Sequence, residues 1–263
     1  MDRLARLLVV VEPAETAPAV LGRAIPLARH FDSTIDLLLC VRSEAEKEAG
    51  ERFLKGLTAG VGGADVPISC LVREGPSVAE IVAARLQEVP AELIIKYPSD
   101  ADSLGRRLWK TNDWQLLQVC DAHVLLTRGG PWHAEPRFAA AIDLPVEGPR
   151  SARAVLEAMI LLAVTMNGRT AVLHVATGSN PESGACDALS RVAAEFHLPP
   201  GSWSVLQGDP ATALAAEARK NQLDLIALGA HTRRRGWREF FGTLSGKLLA
   251  KVDCDLLLVN GAS

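Results

Sequence analysis

The chain has 263 residues, 48% of them apolar and 22% charged, with a formal net charge of -3. That composition belongs to a folded chain that buries a core and excludes a disordered or fibrous one, and the near-neutral charge gives no general pull toward nucleic acid or anionic lipid. The longest apolar stretches, Leu7 to Val11 and Ala158 to Val164, fall far short of the roughly 20 residues that span a bilayer.

The start, Met1-Asp2-Arg3-Leu4, lacks the basic, apolar and small-residue layout of a secretory leader, so a cytoplasmic address is expected. Five cysteines, Cys40, Cys70, Cys120, Cys186 and Cys254, are scattered with no C-x-x-C pair. They read as reduced, mostly buried thiols and not as zinc ligands or a redox couple.

Taken in order, the elements repeat. An apolar strand over Leu7 to Val11, closed by Glu12-Pro13, returns as Phe138 to Ile142 closed by Asp143-Leu144-Pro145. Leu39-Cys40-Val41 returns as Leu173-His174-Val175, and the turn Glu74-Gly75-Pro76-Ser77 as Gly208-Asp209-Pro210-Ala211. Glu92-Leu93-Ile94-Ile95 matches Asp224-Leu225-Ile226-Ala227, and Asp121 to Leu126 matches Asp253 to Leu258. Between the strands, apolar residues take helical spacing: Val78, Ile81, Val82 and Leu86; Leu189, Val192, Ala193 and Phe196; Leu244, Leu248 and Leu249. Each copy therefore alternates strand and helix and begins and ends on a strand, which predicts a parallel sheet with right-handed crossovers and helices on both faces. The copies are bounded as 1–130 and 137–263, with the breaker-rich Gly129 to Pro136 between them.

In such sheets the ligand crevice lies beyond the carboxyl ends of the strands. In the second copy, strands one, two and four end at Asp143, Val175 and Gly229. From Gly229 the chain runs through a basic loop, with His231, Thr232 and Arg233 to Arg235, into a helix at Gly242-Thr243, followed by Ser245. The unpaired amides of a helix start suit phosphate oxygens, Gly242 permits close approach, and Thr243 and Ser245 add hydroxyl donors. A plain cap at Thr243 and a turn at Gly242 account for the same residues without a ligand; spacing alone leaves both readings open. The arginines read as a solvated loop, and His174 with His231 as too few ligands for a metal. No G-x-S-x-G or H-E-x-x-H element is present, and no residue is singled out as catalytic.

The loop Gly229-x2-Thr232-x9-Gly242-Thr243, which keeps the spacing of the form G-x2-G-x9-G-[ST], with the aspartate ending strand one and the closing Leu-Leu-Val strand, resembles the universal stress proteins, and the two-copy length resembles their tandem, E-type members. The resemblance spans essentially the whole chain. It implies two tandem doubly wound α/β domains, each a five-stranded parallel sheet in order 3-2-1-4-5 flanked by helices. It also implies a stress-response binding or regulatory protein in which ATP, with Mg, occupies the second domain. Asp143 and Val175 then lie near the base or sugar, and Gly229, His231, Thr232, Gly242, Thr243 and Ser245 along the phosphate path. Thr232 stands where the family has glycine, and Leu144-Pro145 make the mouth bulkier. In the first copy Tyr97 and Lys110 replace Gly229 and Gly242 and the intervening loop is acidic, which opposes phosphate; Trp109 and Trp114 are expected to pack there. Two other readings are a weak metal-dependent ATPase and a nucleotide-free interaction scaffold. Partners expected are an adenine nucleotide and a protein, with neither nucleic acid nor membrane. An intramolecular pseudo-dimer through the fifth strands, with or without a further homodimer, is also expected.

Overall fold

A computed structural model of the chain describes residues 4–12, 14–60, 65–98, 115–117, 120–143, 148–176, 182–230 and 244–261. The described residues form two compact units that divide between Pro131 and Trp132.

The first unit contains β1 (Arg6–Val11), α1 (Ala17–Phe31), β2 (Thr34–Val41), α2 (Lys47–Gly60), β3 (Ile68–Glu74), α3 (Val78–Glu88), β4 (Leu93–Lys96) and β5 (His123–Leu126). Every pairing is parallel, in the order β3-β2-β1-β4-β5. The second unit contains β6 (Arg137–Ala141), α4 (Gly148–Thr165), β7 (Arg169–Ala176), α5 (Glu182–Glu195), β8 (Trp203–Gln207), α6 (Pro210–Asn221), β9 (Leu225–Ala230), a helix at 244–249 and β10 (Asp255–Asn260). Its order, β8-β7-β6-β9-β10, is the same 3-2-1-4-5 pattern. The α/β fold with tandem doubly wound units read from the sequence is the fold observed.

The central strands are apolar apart from Arg6, Lys96 and Arg137 at their ends, because both of their faces are covered by helices. Leu7 to Val11 and Leu93 to Ile95 are buried in the first unit, as are Phe138 to Ala141 and Leu225 to Leu228 in the second. The helical stripes supply the other half of each core, with Val78, Ile81 and Val82 buried on α3 and Leu189 and Ala193 on α5.

The repeat extends to individual hydrogen bonds. Glu92, just before β4, accepts the Arg6 amide at 2.8 Å, and Asp224, just before β9, accepts the Arg137 amide at 2.8 Å. In each unit the carboxylate thus fastens the first amide of the central strand at the end of the sheet away from the carboxyl termini of the strands. The repeated Pro-containing turns are helix starts, with the cap displaced by two residues. Ser77 accepts the Glu80 amide and donates its hydroxyl to the Glu80 carboxylate, whereas Asp209, aligned with Gly75, accepts the Thr212 amide ahead of Pro210.

The breaker-rich connection is ordered by contacts within each unit. Gly129 has φ +82°, and a Cβ there would lie 2.4 Å from the Ala19 Cβ, so only glycine fits the backbone against α1. The buried Arg23 donates to the Gly130 carbonyl at 2.6 Å. In the second unit, Trp132 Nε1 donates to the Asp255 carboxylate at 3.1 Å and its ring meets Phe138 edge-on at 4.9 Å. His133 donates its backbone amide to Asp224 at 3.0 Å, and its Nδ1 lies 2.9 Å from the same carboxylate.

Candidate functional site

In the second unit, strand register sets the site. Ala141 of β6 lies level with Leu173 of β7 and Leu228 of β9. Continued two residues on, this register sets Val175 and Ala230 in one row with Asp143, which lies just past the end of β6, with Gly229 buried just behind. Asp143, Val175 and Gly229, the residues implied by the sequence, all lie at this carboxyl end. Ser245 lies half-buried on the helix at 244–249. His231, Thr232, Gly242 and Thr243, with the arginines of that loop, lie outside the described residues, as do Tyr97's downstream acidic loop, Trp109, Lys110 and Trp114 of the first copy.

One residue set aside in the sequence takes a defined place in this row. His174 is buried, and its Nδ1 donates to the Ile142 carbonyl at 3.0 Å. A carbonyl can only accept, so that nitrogen carries the proton and the other ring nitrogen remains as the acceptor in the neutral ring. Burial pushes the half-buried Asp143 carboxyl above the usual carboxylate range, and the nearby His174 pulls in the opposite direction. The polar groups at the end of this sheet are thus an orientable carboxylate and an imidazole whose tautomer is fixed.

The equivalent end of the first unit is a cavity of about 140 Å³. Glu12 and Cys40, aligned with Asp143 and His174, border it together with Val41, Arg42, Ser77 and Ile81. Burial pushes the Cys40 thiol up to about 12; Glu12 acts in the same sense, and Lys96 opposes them. Lys96 ends β4 with no exposed surface and donates from Nζ to the Tyr97 carbonyl at 3.1 Å. Neither Cys40 nor Lys96 was singled out for this site from sequence. The usable signal was the repeat, which sets Lys96 against Leu228 and Cys40 against His174. The first crevice is therefore bordered by a protonated thiol where the second unit has histidine, and Lys96, buried at the end of β4, stands where the second unit has leucine.

Fold and site together define a tandem doubly wound protein with crevices beyond the carboxyl ends of its strands. Residues 140–260 match the family model of the universal stress protein family. A curated relative, the universal stress protein E homolog of Haemophilus influenzae, is 20% identical, with 95% of this chain and 96% of the relative covered. Among solved structures, a Pseudomonas aeruginosa protein of unknown function superposes with a TM-score of 0.79 at 19% identity, covering 99% of this chain and 94% of the other. A universal stress protein from Archaeoglobus fulgidus gives 0.75 at 13% identity, covering 99% and 97%. The family match thus falls on the second unit, and the likeness to the curated relative runs through both units.

Proposed function

We propose that this stress-response protein binds an adenine nucleotide in its second unit and acts as a ligand-responsive regulatory module. The row formed by Asp143, Val175 and Ala230, with Gly229 behind it, carries the reading, because it lies in the unit that matches the family model. A carboxylate at Asp143 accepts from an amino or hydroxyl group of a base or sugar, and Val175 offers a half-buried apolar wall. The phosphates then run along the segment from Gly229 to Ser245, where Gly242 and Thr243 supply amides and His231, Thr232, Thr243 and Ser245 supply polar side chains. A divalent ion such as Mg enters with the nucleotide and neutralises its phosphate charge. Cytoplasmic placement belongs to the same proposal.

Calorimetric titration with ATP and Mg tests it. Saturable one-site binding is expected, weakened at least tenfold by Asp143→Asn and abolished by Gly242→Asp, with phosphate release at background level. Absence of heat or fluorescence change at millimolar ATP refutes nucleotide binding, and Gly242-dependent phosphate release replaces the regulatory reading with an ATPase.

A further inference from the structure

The cavity of the first unit is bordered by two opposite charges that do not meet. Continuing the register of Val11 with Leu39 sets Glu12, just past β1, level with Cys40, and Arg42 follows at the end of β2. Both border the same space of about 140 Å³. Arg42 is exposed, and its backbone amide is held by the Glu46 carboxylate at 3.0 Å. Its guanidinium has no hydrogen-bond or ion-pair partner among the described residues. Glu12 has contacts of its own, but the two oxygens of a carboxylate offer about four acceptor positions, so it can take a further donor.

The rest of the lining is neutral. Burial pushes the Cys40 thiol up to about 12, so it adds no charge at neutral pH. Ser77 already spends its hydroxyl on Glu80. Val41, Val78 and Ile81 are buried and supply an apolar wall. In the second unit, Asp143 is aligned with Glu12, but Ala176 is aligned with Arg42. The pair of opposite charges therefore belongs to the first unit alone.

Size and charge together narrow what this cavity takes. Pockets for drug-sized ligands and cofactors enclose roughly 300–1,000 Å³, so an adenine nucleotide is too large. An apolar cavity of about 150 Å³ holds one benzene, so a ligand of roughly six to ten non-hydrogen atoms fits. A lone anion would meet Glu12, and a lone cation would meet Arg42, with repulsion in either case. A molecule that carries both charges satisfies both, and an apolar portion is needed to cover the valines and Ile81.

We infer that the first unit binds a small zwitterion, an α-amino acid with a short apolar side chain. Its ammonium group donates to Glu12, its carboxylate accepts from Arg42, and its side chain lies against Val41, Val78 and Ile81. This site is independent of nucleotide binding in the second unit.

Calorimetric titration of the full chain with L-valine, L-alanine and two single-charge analogues of valine tests this. Isobutylamine lacks the carboxylate and isovalerate lacks the ammonium group. Valine is expected to saturate one site with a Kd below about 1 mM, and each analogue to bind about tenfold more weakly or worse, since a lost charge-assisted hydrogen bond has that effect. Arg42→Ala is expected to erase the advantage of valine over isobutylamine, and Glu12→Gln its advantage over isovalerate. If Glu12→Gln does not fold, Arg42→Ala, at an exposed position, decides alone. The inference is overturned if neither amino acid gives saturable heat at roughly 10 mM, if either analogue binds as well as valine, or if Arg42→Ala binds valine undiminished.

Discussion

Asp224 holds three donors with one buried carboxylate, and removing it tests whether the fastening before β9 stabilises the second unit. The Arg137 amide at 2.8 Å, the His133 amide at 3.0 Å and the His133 ring nitrogen at 2.9 Å all converge on it, and its side chain is 5% exposed. A hydrogen bond to a charged group contributes about 1.5–3 kcal/mol, and a buried donor left unpaired costs about 1–3 kcal/mol. His133 is 47% exposed, so its ring turns to water on mutation and contributes little. The loss is concentrated on the two backbone amides. Asp224→Ala is therefore expected to destabilise the second unit by about 3–4 kcal/mol, and Asp224→Asn, which keeps one acceptor oxygen, by about 2 kcal/mol. With a urea slope of roughly 2 kcal/mol/M, the alanine midpoint falls by about 1.5–2 M. Trp132, hydrogen-bonded to Asp255 next to the fastening, reports the transition by fluorescence. Asp224→Glu should recover part of the loss, since Glu92 makes the equivalent bond in the first unit. An alanine variant within about 1 kcal/mol of the wild type would show that solvent or neighbouring groups replace the carboxylate, and the reasoning fails.

Gly129→Ala combines a positive φ with a collision against the α1 backbone and should lower the stability of the first unit by about 3 kcal/mol, read as a fall in its thermal midpoint. In brief alkylation of the native protein, mass spectrometry should find the exposed Cys70 labelled well before Cys40, Cys120 and Cys254, whose thiols burial pushes up to about 12. Equal rates would contradict their burial. Burial lowers the His123 imidazole from 6.5 to about 4, so the native ring stays neutral where the unfolded one is already charged. The unfolded chain then binds more protons between those values, and stability declines as pH drops from about 6.5 to 4. The ring protons of His123 should show no titration by NMR between pH 7 and 5, and His123→Gln should flatten the acid slope.

Strand identity and order were legible because buried parallel strands are continuous apolar runs, and the duplication supplied a second reading of each. The repeat around β4 was matched from Glu92 to Ile95, and Lys96 took no part in it; here its side chain is buried, with Nζ donating to the Tyr97 carbonyl. The pairing of Glu92 with Asp224 was visible as an alignment, but nothing in the letters says that a carboxylate reaches back to the first amide of a neighbouring strand. That contact exists only once crossover brings β1 beside β4. His174 was visible but undervalued, since its fixed tautomer depends on the Ile142 carbonyl, which belongs to a different strand. Asp143, Val175 and Gly229 could be placed near the carboxyl end of the sheet because strand ends are the positions most constrained by topology. The loop from His231 to Thr243 lies outside the described residues, and its part in the site rests on the calorimetric test.

Neither fastening crosses the junction at Pro131 and Trp132. Glu92 holds Arg6 and Asp224 holds Arg137, each carboxylate and its amide encoded on the same side. A gene spliced at that codon would inherit both closures whole, so hybrids that join a first half from one relative to a second half from another begin with their central strands already anchored. The two halves differ at the opposite rim, where Cys40 and Lys96 stand against His174 and Leu228. That difference lies at the carboxyl end of the sheet, above a base that both halves still build alike.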